Sequence, residues 1–305
     1  MRTARTSLFA LALGATLFAA CAEVRVSPIE DTGPRDAGAR DAQPTDDTVE
    51  TPDVMETDDA TPPADVPRPA CTANNDFTIE RSEIHVAVGA TELFALNNDG
   101  TTVSEVDTAG TMGASGRVWD FSAARSEDHR VLDEVIDPAG QWWASAYPDA
   151  TYAQSMDLAD TILGVYRVSD SRVELLGTVS REMNRTNMVM TPPVIVMQFP
   201  LHEGATWSQT VNGNGFFNYT ALANVTQYTF TVDAHGEVRT PAGRFPVLRI
   251  RTDLDQSIPL TLFRRTQRTF TFVSECWGAV ARIASVDNET SVEFTTASEY
   301  RRLSL

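Results

Sequence analysis

All five tryptophans, all six tyrosines and 12 of the 14 phenylalanines of this 305-residue chain fall between Phe77 and Leu305. The residues able to build a core are therefore confined to about 230 positions, enough for one sizeable domain. Within them the hydrophobic period is two. In Tyr228-Thr229-Phe230-Thr231-Val232 the apolar side chains share one face and the threonines the other. Phe270-Thr271-Phe272 repeats the pattern, and Leu248-Arg249-Ile250-Arg251 alternates apolar with charged. Val194-Ile195-Val196-Met197 is a continuous apolar run, as expected of a strand covered on both faces. Turn signals stand between such segments at Asn97-Asn98-Asp99-Gly100, Asn212-Gly213-Asn214-Gly215 and Pro241-Ala242-Gly243. Helical periodicity competes only over residues 123–136 and 157–166. Many short strands with little helix predict an all-β domain over residues 77–305, an antiparallel curled sheet, half-barrel or β-sandwich.

Upstream the composition changes. Residues 22–70 contain no aromatic side chain, 8 of the chain's 16 prolines, 13 acids and 4 arginines. Such a stretch cannot bury enough apolar surface to offset the cost of ordering its backbone, so residues 21–76 are expected to form a disordered acidic linker. Before it, Arg2 and Arg5 precede an apolar and small-residue run at 7–20. This run is short of the roughly 20 apolar residues a bilayer span needs and has the proportions of a secretory signal peptide. It ends Leu17-Phe18-Ala19-Ala20-Cys21, which resembles a bacterial lipobox, with Phe18 where leucine is more usual. The resemblance implies cleavage before Cys21 and its lipidation, palmitate included. With alanine at position 22 instead of aspartate, it also implies an outer-membrane lipoprotein.

Charge narrows the function classes. The formal net charge is −18, and all 24 basic residues are arginine. A balance this acidic argues against a nucleic-acid partner. The absence of lysine removes Schiff-base, P-loop and lysine-base chemistry. With Cys21 lipidated, Cys71 and Cys276 remain, and an exported chain meets an oxidising compartment. A Cys71–Cys276 disulfide is the expectation, with a free thiol pair or a metal site as alternatives.

Several local patterns recur together: Trp119-Asp120-Phe121-Ser122, Asp137-Pro138-Ala139 followed by Tyr147-Pro148-Asp149-Ala150, and Phe199-Pro200-Leu201 with Gly204 and Trp207. The last is Gly236-Glu237-Val238-Arg239-Thr240-Pro241-Ala242-Gly243-Arg244-Phe245 leading into Val247-Leu248-Arg249-Ile250. Together they resemble a domain of the hypothetical-protein type, common in secreted and lipid-anchored bacterial proteins, over residues 119–285. More remotely, the hairpin is similar to those of lipoprotein-carrier-like half-barrels, whose curved sheet cups acyl chains; this is analogy at the level of fold.

Searching for chemistry yields little. His85, His129, His202 and His235 have no metal-pair spacing, and His202-Glu203 lacks the second histidine of a zincin. Neither a nucleophile elbow at Gly113-Ala114-Ser115-Gly116 nor a dinucleotide fingerprint at 212–215 is complete. Asp253 and Asp255 share a strand face and could serve acid–base work, although surface charge is the commoner role. No catalytic residue, metal or cofactor is assigned. The candidate ligand-binding residues are Arg249, Arg251, Arg264 and Arg268, with Arg265 beside them, whose guanidinium forks suit phosphates and carboxylates. Trp142 and Trp143 join them as an aromatic cluster near Tyr147 and Tyr152. More often such arginines pair with surface acids, and such aromatics are core. The expected role is a monomeric, non-catalytic module held at the membrane, binding an apolar or amphipathic ligand such as lipid. A structural or surface-interaction protein of the envelope is the alternative, and an envelope-polymer hydrolase the third.

Overall fold

The structure, a computed structural model, describes residues 71–304 apart from Ser115. The signal peptide, the Cys21 anchor and the linker up to residue 70 lie outside the described residues. The sixteen strands are β1 (Thr78–Ile79), β2 (Thr91–Asn97), β3 (Thr111–Gly113), β4 (Gly116–Asp120), β5 (Asp128–Glu134), β6 (Tyr152–Ser155), β7 (Ile162–Val168) and β8 (Arg172–Ser180). They continue with β9 (Asn187–Gln198), β10 (Leu201–His202), β11 (Thr206–Phe217), β12 (Thr220–Thr240), β13 (Gly243–Ser257), β14 (Arg264–Ser274), β15 (Gly278–Ser285) and β16 (Ala297–Leu303). Among the described residues, helix is limited to single 3₁₀ turns at Arg81–Glu83 and Ala144–Ala146.

Fourteen strands form one sheet, twelve of them in the order β5-β2-β16-β15-β14-β13-β12-β11-β9-β8-β7-β6, with β4 attached to β12 and β3 to β4. The two ends of that path meet at an antiparallel bridge between Ile136 and Ala153, whose amides exchange hydrogen bonds of 2.8 and 3.0 Å. The sheet thus curls almost to closure as an antiparallel half-barrel. One pairing is parallel, β4 with β12 along Gly236–Arg239. Gly236 permits it, because a Cβ there would stand 1.9 Å from the Arg117 carbonyl oxygen.

Neither window with helical periodicity is helical: each runs through a turn into a strand, β5 and β7. The reason is visible on β7, where Leu163 and Val165 enter one apolar cluster and Tyr166 packs against another. A strand covered on both faces places apolar side chains at successive positions, which blurs a period of two.

Directly paired residues of antiparallel strands share a face, so two rows define the sheet. Val232, Ile250, Thr271, Arg282 and Arg301 line the inner face across β12 to β16. Ala234, Arg249, Phe272, Ala281 and Arg302 line the outer face. A bulge between Val232 and Ala234 separates the rows on β12. The outer face is roofed by the segment from Val103 to Phe121. Buried Trp119 and Phe121 meet Phe272 edge-on at 5.0 and 5.4 Å, and the Trp119 indole donates to the Thr108 carbonyl at 2.9 Å. Further round, Trp143 and Tyr147 roof β6 to β8.

The inner face is crossed at one end by an N-terminal strap. Ile79 and Ile84 pack with Leu248 and Val273, and β1 pairs with β10. Residues 71–76, placed with the linker by composition, fasten this strap. Cys71 is disulfide-bonded to Cys276 with Cα atoms 5.6 Å apart, and the Asn74 and Asn75 amides donate to the Glu275 carboxylate at 2.7 and 2.9 Å. Closing a loop between residues 205 apart stabilises by at most about 5 kcal/mol on the chain-entropy argument.

Candidate functional site

Beyond the strap the inner face mixes buried and partly accessible side chains. Its apolar lining is only half-buried at Met156, Tyr166, Met190 and Tyr228, which surround a buried floor that includes Phe230, Ile250 and Leu175. Gly164 makes room for part of it. A Cβ at that position would lie 2.7 Å from both the Met156 sulfur and the Tyr166 hydroxyl. The Tyr166 ring stacks on Tyr152 with centroids 4.9 Å apart.

A chain of alternating charges runs into this concavity from the seam. Asp133 pairs with Arg301 at 3.3 Å, Arg301 with Glu299 at 3.1 Å, and Glu299 with Arg282. Side-chain exposure rises along the chain, from 2% at Asp133 through 8% at Arg301 and 11% at Glu299 to 33% at Arg282. The cation at the inner end is therefore the accessible one. Asp133 also accepts from the Gln154 amide at 3.1 Å and the Ser155 backbone at 3.3 Å. Burial nonetheless raises its pKa, outweighing the opposing pull of Arg301.

Two further shifts report the curl of the sheet. Burial pushes the Tyr166 phenol up to about 12, and Arg282 opposes that shift. For Arg282, burial works against the charge, but the ion pair and hydrogen bond with Glu299 more than restore it, so its pKa is raised. Tyr166 on β7 and Arg282 on β15 stand far apart in the order of strands. Arg301, the cross-strand partner of Arg282, donates to the Asp157 carbonyl at 3.0 Å, next to Met156, whose sulfur flanks Gly164 together with the Tyr166 hydroxyl, so Arg282 and Tyr166 face the same end of the cup.

The arginines singled out from the sequence are placed differently. Arg249 is buried on the outer face. Its guanidinium donates to Asp233 and Glu293 at 2.8 Å each and to the Thr108 carbonyl at 2.6 Å, and lies 4.2 Å from the Phe270 ring centroid. It has no access to a ligand. Arg251 pairs with Asp253 at 3.0 Å, Arg268 with Asp253 at 2.7 Å, Arg264 with Asp255, and Arg265 with Asp287 at 3.3 Å. The hydrogen bond from Arg264 holds Asp255 below its ordinary range. These two aspartates act as partners for arginines. Trp143 is sealed in the outer core, and the Trp142 indole donates to the Ser180 carbonyl at 3.2 Å. A surface cleft of about 370 Å³ borders Trp143 and is lined also by Glu134, Asp137 and Arg181.

The sequence reading missed Arg282, Glu299, Arg301, Asp133 and Tyr166. The available signal was a charge inside an apolar run, Val280-Ala281-Arg282-Ile283-Ala284. At the opposite end from the strap, the β13–β14 turn holds Leu260 and Leu262 fully exposed.

No protein-family model and no curated protein matches the chain. A solved structure described as a "putative lipoprotein" from Parabacteroides distasonis ATCC 8503 is similar at 8% sequence identity and a TM-score of 0.32, covering 71% of this chain and 94% of that one. A likeness at that level carries no argument about function.

Proposed function

We propose that this chain is an envelope lipoprotein, tethered through Cys21 at the outer membrane, whose β domain is a non-catalytic module binding an apolar or amphipathic molecule in the cup. The observation that carries the binding role is the inner face. Aromatic and methionine side chains sit deep in the curl yet stay half-buried, where a folded core would cover them. The tether rests on the Leu17 to Cys21 motif. Native mass spectrometry of the purified protein tests the binding role: co-purified lipid, or uptake of an added one, is the expected result. Finding neither overturns it. Substituting Cys21→Ser is expected to move the protein to soluble fractions, and retention in the membrane overturns the anchor.

A surface-interaction role is the second reading. The exposed Leu260 and Leu262 at the hairpin tip favour it, because large apolar side chains at a projecting turn suit contact with a partner.

A further inference from the structure

Arg282 differs from the buried Arg249 in its surroundings. It lies deep enough to be desolvated, yet a third of its side chain remains accessible, as expected of a group facing an internal concavity. One terminal nitrogen is engaged by Glu299. Among the described residues no hydrogen-bond acceptor meets its other two nitrogens, nor the hydroxyl of neighbouring Tyr166. The Tyr166 hydroxyl lies beside the Met156 sulfur at Gly164, and Arg282 reaches the same end of the cup through its cross-strand partner Arg301, which donates to the Asp157 carbonyl, so both sets of unfilled donors border the apolar floor.

Donors left open in such surroundings select for an acceptor, and a charged one binds most strongly. A planar fork matches the two oxygens of a carboxylate. The charge order agrees, because the chain from Asp133 to Arg282 ends toward the cup in a cation. An apolar lining next to that cation takes a hydrocarbon chain.

We infer that the cup's ligand is a long-chain monocarboxylate, its head held by Arg282 and Tyr166 and its chain laid along Met156, Met190 and Tyr228. This rests on the binding role proposed above and goes beyond it by fixing the head group, its polarity and its position.

The test uses the full-length chain carrying Cys21→Ser, stripped of bound lipid and titrated calorimetrically with laurate and with dodecanol, which share a chain and differ in the head. Laurate is expected to bind at least tenfold more tightly. Arg282→Met should remove at least tenfold of the laurate affinity and leave dodecanol unchanged, while Tyr166→Phe should cost laurate a few-fold. Because Arg282→Met removes one of the two arginines paired with the Glu299 carboxylate, Arg282→Met with Glu299→Gln serves as the charge-balanced variant. The laurate-to-dodecanol ratio of the unsubstituted protein needs no variant at all. Equal affinities for the two probes, or laurate binding indifferent to Arg282, overturn the head-group site while leaving an apolar cup intact. Binding of neither probe overturns both.

Discussion

The same sheet carries arginines on both faces, and the two sets behave differently. On the outer row, all three nitrogens of Arg249 meet acceptors, and Arg302 is fully buried against the Tyr300 ring at 4.2 Å, paired with Asp128. On the inner row, Arg282 meets a single carboxylate and keeps a third of its side chain accessible. Arg282 and Arg302 are one register position apart on neighbouring strands, so neither propensity nor strand position separates them. The roof does. Val103, Trp119, Phe121 and Phe294 cover the outer face, where every nitrogen of Arg249 is matched and Arg302 is matched at its two terminal nitrogens, its buried Nε meeting no acceptor among the described residues. On the inner face Asp133, Glu299 and Arg301 are buried while a third of the Arg282 side chain stays accessible, so that guanidinium can keep donors in reserve. A buried, saturated arginine is a structural pillar; a half-covered, unsaturated one can bind a ligand.

This contrast can be broken by paired substitutions. Arg249→Met leaves Asp233 and Glu293 facing one another with the Thr108 carbonyl unpaired, and should cost about 3–5 kcal/mol of unfolding free energy in urea titration. Arg282→Met removes a partly solvated pair and should cost about 1 kcal/mol. Equal losses would mean that the inner face is as sealed as the outer one.

The inner charge chain also makes a prediction about pH. Burial holds the Asp133 carboxyl above its unfolded value of 3.8, so the folded state binds that proton more tightly. The stability this provides is whole below the unfolded pKa and is lost as pH rises through the folded one. Asp133→Asn has no such dependence. The unfolding free energy of the unsubstituted protein minus that of the variant should therefore decline as pH rises above the unfolded value of 3.8. A difference that is flat or rises with pH places Asp133 in a different environment from the one described.

Much of the fold was legible in the chain. The alternation at Tyr228 to Val232 marked β12, and the turn before Gly243 marked the hairpin in which Val238 and Phe245 pair in the outer core. Compartment chemistry gave the Cys71–Cys276 bond. The site was less legible because a period of two separates faces without saying which one is concave. Leu248-Arg249-Ile250 reads as core below and solvent above, yet both faces are buried, since Arg249 finds its carboxylates at a bulge residue and in a loop, Asp233 and Glu293. Those partners are set by tertiary topology, which local spacing does not encode. The same holds for Arg282, whose neighbour Tyr166 comes from the far side of the curl.

The smallest effect is expected at the hairpin tip, and it sharpens the contrast from the other direction. Leu260 and Leu262 are fully exposed, so replacing both with serine removes no buried apolar area. Their combined effect on stability should stay within about 0.5 kcal/mol. The half-buried apolar residues of the cup should differ, with Tyr228→Ser costing measurably more because its ring lies on Phe230, centroids 5.9 Å apart. Exposure without support marks the tip as a surface that contributes to contact rather than to folding, whereas the cup's lining contributes to both. A double serine variant that melts well below the unsubstituted protein would show that the tip is packed, and would remove the observation favouring a partner there.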